Sequence, residues 1–127
     1  VSILGDNSYP LFAKFTSVSG LKVGSPVEML GMQIGRVAGF TMDQNDQVAV
    51  VELRIGNGVK IYDDAMASIK TNGLLGDRYV KIDAGGGGGL LKPGGAITET
   101  EPPVDILELI GKYAFGDVEK KQSKENK

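Results

Sequence analysis

Residues able to do chemistry are few in this chain. None of its 127 residues is histidine or cysteine. Imidazole bases, thiolate nucleophiles, Ser-His-Asp triads, thiolate zinc sites and disulfides are excluded together. Carboxylates remain, and two groups of them invite a chemical reading: Asp63-Asp64 and the run Asp43-Gln44-Asn45-Asp46. Adjacent side chains such as Asp63 and Asp64 point in different directions, and no third ligand stands at a loop-like spacing. The segment Ile61 to Ala65 reads as the start of a helical turn with a solvated cap. Asp43, Asn45 and Asp46 resemble part of a calcium loop, but the glycine and bidentate glutamate of an EF-hand are missing. A hairpin turn fits them better. Gly85–Gly89 follows a strand as a phosphate-binding loop would, yet no helix opening with Lys-Ser/Thr follows it. The run reads as a flexible connection. A hydrolase would need Asp63, Asp64, Asp83 or a Ser-Lys pair, and no convergent set is visible.

One loop stands out for its lack of polarity. In Thr71-Asn72-Gly73-Leu74-Leu75-Gly76-Asp77, turn residues and glycines bracket two leucines where a hairpin tip is ordinarily hydrophilic. Spacing alone favours both leucines folding back to plug a barrel end. The alternative is an exposed apolar patch, the mark of a partner or ligand surface.

The elements that position these residues are mostly strands. Tyr9, Leu11, Ala13 and Phe15 alternate as one strand face, with Pro10 confining the start of that strand to an edge or terminus. Pro26 to Met42 is β-prone but interrupted by Gly31, Gly35 and Gly39, positions expected to carry bulges or close backbone approach. In Gln47–Ile55, Ala49, Val51, Leu53 and Ile55 face one way and Glu52 and Arg54 the other. Residues 33–55 therefore read as a hairpin turning at Asp43–Asp46. Ala67–Asn72, Arg78–Asp83 and a last strand around Ala96–Thr100 complete the β region. Seven short strands with almost no helix predict an all-β antiparallel sandwich or small barrel.

Pro102-Pro103 separates this body from a helix over 104–115. Ile106, Leu109, Ile110 and Tyr113 fall at helical spacing, and Leu107 widens the stripe. Asp105 suits the first turn, Glu108–Lys112 is an i,i+4 pair, and Gly116 suits the C-cap. An apolar arc over half the circumference has to be buried on more than one side. Docking on its own body and packing against copies or a membrane partner are both open. Residues 1–8 read as an extension, 9–101 as the β body, 102–116 as the helix and 117–127 as a polar, disordered tail.

Composition bounds the partners. Apolar residues make up 41% and the net charge is −2, so a globular domain is expected and nucleic acid is not. Nineteen glycines are roughly twice the usual share, in keeping with a bent, turn-rich sheet. No stretch approaches the ~20 apolar residues needed to span a bilayer.

Four segments in order carry a family resemblance: Leu11–Phe15 followed by Gly20-Leu21-Lys22-Val23-Gly24-Ser25-Pro26-Val27; Gly31-Met32-Gln33-Ile34-Gly35-Arg36-Val37; Ile69 to Tyr79, with Gly73-Leu74-Leu75-Gly76-Asp77 at its centre; and Ile106-Leu107-Glu108-Leu109-Ile110-Gly111. On these the chain resembles the MCE family, and within it the MlaD type. The resemblance implies a seven-stranded MCE β-barrel with one C-terminal helix, assembled as a homohexameric ring. It implies phospholipid transport across the periplasm that maintains outer-membrane lipid asymmetry. The expected partners are the permease and ATPase of an ABC transporter and a periplasmic lipid carrier. The expected location is the periplasmic side of the bacterial inner membrane, through an N-terminal anchor lying before Val1. Leu74 and Leu75 would line a central hydrophobic pore, and the helix residues Ile106, Leu107, Leu109, Ile110 and Tyr113 would contact copies or partners. No catalysis, metal or cofactor is implied. The glycine run has no counterpart in the resemblance. A non-transporting β scaffold that holds envelope proteins is the alternative reading.

Overall fold

The computed structural model describes residues 7–73, 76–104 and 109–111. Eight strands form one sheet: β1 Ser8–Phe15, β2 Pro26–Met29, β3 Met32–Asp43, β4 Val48–Gly56, β5 Met66–Thr71, β6 Arg78–Asp83, β7 Ala96–Ile97 and β8 Glu99–Glu101. Their order is β7-β1-β4-β3-β2-β6-β5-β8. The all-β expectation holds, with a strand count of eight instead of seven. The difference has a simple origin. The last expected strand, near Ala96–Thr100, splits at Thr98, so that β7 pairs with β1 while β8 pairs with β5.

That split nearly closes the barrel. Two successive pieces of chain cover the two strands that would otherwise be edges, β1 and β5, and edge exposure is what a small sheet must avoid. Thr100 Oγ1 donates to the Lys14 carbonyl of β1 at 2.6 Å, and the buried Ser68 hydroxyl donates to Glu101 Oε1 at 2.9 Å. The sheet is mixed where an antiparallel one was expected. β1–β7, β2–β6 and β5–β8 run parallel, and the β1–β4, β2–β3, β3–β4 and β5–β6 pairs run antiparallel.

The strand alternation read from sequence sets the interior. Leu11, Ala13 and Phe15 of β1 and Val51, Leu53 and Ile55 of β4 are fully buried, joined by Val27, Val37, Val80, Ile82 and Ile97. Pro10 pairs across from Arg54, and its carbonyl accepts from Gly94 N. Its missing N–H thus points to the side where β7 has not yet begun, as an edge position requires. The β3–β4 hairpin turns where expected: Asp43 Oδ1 accepts from the Asn45 and Asp46 amides. Its register shifts between Val37 and Gly39, and at Gly35 a Cβ would overlap the Arg54 carbonyl. The bulge and the close approach sit at two of the glycines that suggested them.

Strand directions sort the connections into two ends. One end holds the β1–β2 loop, the β3–β4 turn, the β5–β6 loop and the exit of β8. The other holds Asn7, the β2–β3 turn at Leu30-Gly31, and the connections 57–65 and 84–95. Ile61 and Ala65 are buried and stop this second end from inside.

Candidate functional site

The β5–β6 loop is the feature with most functional promise, and its neck is narrow. Thr71 and Arg78 form the last rung of the ladder, and the Asn72 amide donates to the Asp77 carbonyl at 3.0 Å. Gly73 has φ +69°, in the left-handed region, and a Cβ on Gly76 would overlap the Asn72 carbonyl. Glycine is required at both shoulders of a loop this tight. Leu74 and Leu75, the expected pore-lining pair, lie outside the described residues.

The C-terminal segment leaves the barrel at the same end. β8 runs parallel to β5, with Met66 opposite Glu99 and Ser68 opposite Glu101, so the chain beyond it heads toward the β5–β6 loop. Val104 is exposed, and Leu109 and Ile110 are helical and 51% and 57% exposed. Their own barrel does not cover these two side chains. Ile106, Leu107 and Tyr113 lie outside the described residues.

At the opposite end the carboxylates and the glycine run meet, which corrects two expectations. Ile61 to Ala65 is not the start of a helix. It forms a bridge between Tyr62 and Leu90 and one turn closed by Ala65 N to Tyr62 O, after which β5 begins. Nor is Gly85–Gly89 an open linker. Gly87 N donates to Asp64 Oδ2 at 2.9 Å, Gly89 N donates to Asp63 Oδ1 at 3.1 Å, and Asp63 N returns a bond to the Gly89 carbonyl at 2.8 Å. A Cβ on Gly85 would overlap the Asp64 carboxylate and one on Gly88 the Asp63 carboxylate. The glycines are there because backbone has to wrap two carboxylates closely. The amide of Gly87 holds the Asp64 carboxyl below its ordinary value; burial opposes it in part, and the amides of Gly88 and Gly86 add smaller lowering contributions. Among the described residues no three acidic side chains converge as metal ligands would. This end is a clasp between connections 57–65 and 84–95.

A family model described as MlaD protein matches residues 7–85. The chain belongs to the MlaD family. It is 36% identical over 121 residues to the intermembrane phospholipid transport system binding protein MlaD of Escherichia coli, covering 91% of this chain and 66% of that protein. It is 34% identical over 113 residues to the protein of the same name from Haemophilus influenzae, covering 86% and 68%. The chain thus spans about two thirds of the length of these relatives. Its fold matches a chain of the Acinetobacter MlaFEDB complex in an ATP-bound conformation, with a TM-score of 0.75, 27% identity, and coverage of 84% of this chain and 81% of that one.

The segments on which the resemblance rests have local physical reasons. In Gly20–Val27, Ser25 N donates to Lys22 O and Ser25 Oγ accepts from Lys22 N, closing a turn whose Gly24 has φ +93°. Gly24 N then donates to Val37 O, and Val37 N to Ser25 O, both at 2.8 Å. The first motif is therefore stitched to the last residue of the second, Gly31–Val37. Sequence reading gave no role to Arg78, the residue following Asp77. Its guanidinium packs under Gly20, where a Cβ would lie 2.5 Å from Nε, and its Nη1 is buried with no hydrogen-bond partner among the described residues. A basic residue on the inward phase of β6 was the available signal.

Proposed function

We propose that this chain is the phospholipid-binding, ring-forming subunit of an ABC-type intermembrane lipid transporter, acting on the periplasmic side of the bacterial inner membrane. Its likeness to relatives named as phospholipid transport binding proteins carries the proposal. Six copies would bring six β5–β6 loops around one axis, with Leu74 and Leu75 forming an apolar collar. The permease and ATPase would be separate subunits, and a periplasmic carrier would exchange lipid with the ring. Catalysis has no part in this reading.

Magnitudes favour lipid as the cargo. Each acyl CH₂ exposed to water costs ~0.8 kcal/mol, so a sixteen-carbon chain costs on the order of 12 kcal/mol. A continuous apolar passage removes most of that barrier by burial alone. One pair of leucines is too small for the task, whereas a closed ring of pairs supplies a collar. The exit of the apolar C-terminal segment at the loop end supports a second apolar layer near the same axis.

Native mass spectrometry with identification of released lipid tests the reading. A mass near six protomers carrying phospholipid is expected. Assembly without lipid in any preparation would favour a scaffold that only holds envelope partners. Leu75→Asn tests the collar: six buried polar groups at roughly 2 kcal/mol each exceed a tenfold effect on passage, with assembly and melting temperature unchanged. Parental transport by a folded Leu75→Asn ring would reject the pore role.

A further inference from the structure

Arg78 is held in place and forms no ion pair among the described residues. It shares the inward phase of β6 with the buried Val80 and Ile82, on the last rung of the β5–β6 ladder. The β1–β2 loop fixes its stem, since a Cβ on Gly20 would lie 2.5 Å from its Nε and 2.7 Å from its Cδ, and Gly20 itself sits at φ +82°. Nη1 is buried and donates to no acceptor among the described residues. The ion pairs among the described residues, Lys14–Asp46 and Lys81–Asp83, leave Arg78 out. The side chain as a whole is only half-buried, so its outer face meets solvent beside the β5–β6 loop. An orphaned donor on a fixed, permanently charged fork is unfavourable in the free protein, and an oxyanion on the solvent-facing side of the guanidinium stabilises that charge.

We propose that Arg78 binds a phosphate group, and specifically the phosphodiester of the phospholipid handled at this end of the barrel. The assignment rests on the lipid-passage reading for the identity of the ligand, and on the guanidinium geometry alone for its chemistry. Acyl chains would be recognised by apolar surface and the phosphate, the headgroup element common to all glycerophospholipids, by Arg78. Gly20 then has a role in recognition, because any side chain there displaces the guanidinium.

The test compares two lipids with identical acyl chains, dioleoylphosphatidylglycerol and dioleoylglycerol, loaded onto the full chain in its assembled form. Arg78→Gln is expected to retain phosphatidylglycerol roughly tenfold less well while holding dioleoylglycerol as the parent does. Arg78→Lys should fall between, since it keeps charge but not the fork, and Gly20→Ala should resemble Arg78→Gln with the arginine still present. Equal loss of both lipids, or no loss of either, overturns the proposal. Competition by millimolar inorganic phosphate would reassign the site to a free anion and overturn the lipid assignment. If the parent holds neither lipid, the transport reading fails separately. The arginine site is then read from the Arg78 Nε resonance on adding inorganic phosphate: a shift supports the phosphate site and its absence overturns it.

Discussion

The glycines do most to distinguish one residue position from another. Asp64 is clasped by amides that favour its ionised form, so its carboxyl titrates below the ordinary value of 3.8. A depressed folded pKa contributes stability that is fully present above the unfolded value and is lost as pH falls through the folded one. Asp64→Asn should therefore melt lower than the parent at pH 7, with the gap closing below about pH 4. Calorimetric scans from pH 7 to pH 2 check this, and a gap constant with pH would mean that the clasp does not depend on charge. Gly85→Ala acts on the same contact from the other side, so the double variant should be less destabilised than the sum of the two. Gly35→Ala differs in kind, because its Cβ meets the Arg54 backbone, which cannot swing aside. A loss of about 1–3 kcal/mol in urea unfolding is expected for such overpacking.

Strands were legible in the sequence where their determinants are local. Leu11, Ala13 and Phe15 alternate along β1, and Val51, Leu53 and Ile55 along β4, and all six are buried. Period-two burial needs no knowledge of the partner strand. The Asp43 turn was equally plain, because the side chain and the amides it accepts from lie within three residues. The clasp was hidden because its halves stand 23 and 26 residues apart, and a glycine run looks the same whether it wraps a carboxylate or swings free. The β2–β3 turn was hidden for another reason: Leu30 takes φ 56° in a place where Asn-Gly would have announced a hairpin. Leu74 and Leu75 drew attention by apolarity at a loop tip, and spacing alone pointed them inward. The split of the last strand at Thr98 depends on two separate partners, β1 and β5, which no local pattern encodes. Ile97, fully buried in β7, anchors that seam, and Ile97→Ala should cost about 2–5 kcal/mol. Hydrogen exchange should then show amides of β1 and β5 losing protection before those of β3 and β4, whose pairing the seam does not touch.

At the scale of the molecule, the two barrel ends divide the work. One end is shut by Ile61, Ala65 and the glycine clasp. The other gathers the β5–β6 loop, Arg78 under Gly20, and the departing C-terminal segment. The buried core among the described residues runs from Leu11 to Ile97, while Val104, Leu109 and Ile110 stay exposed. Leu109 and Ile110 thus lie outside the core of a single copy, and their side chains gain burial only from something beyond it. If that something is a second copy, stability becomes linked to association, and the melting temperature of the full chain must rise with protein concentration. A chain ending at Val104 should melt at the temperature of the dilute full chain and show no concentration dependence. Sedimentation velocity should find it less associated at every concentration. An equally assembled truncated chain would place the contacts between copies on the barrel itself. A truncated chain that melts lower even at high dilution would mean that the helix docks on its own barrel through residues other than Leu109 and Ile110. The exposure of those two side chains is the physical reason to expect neither result.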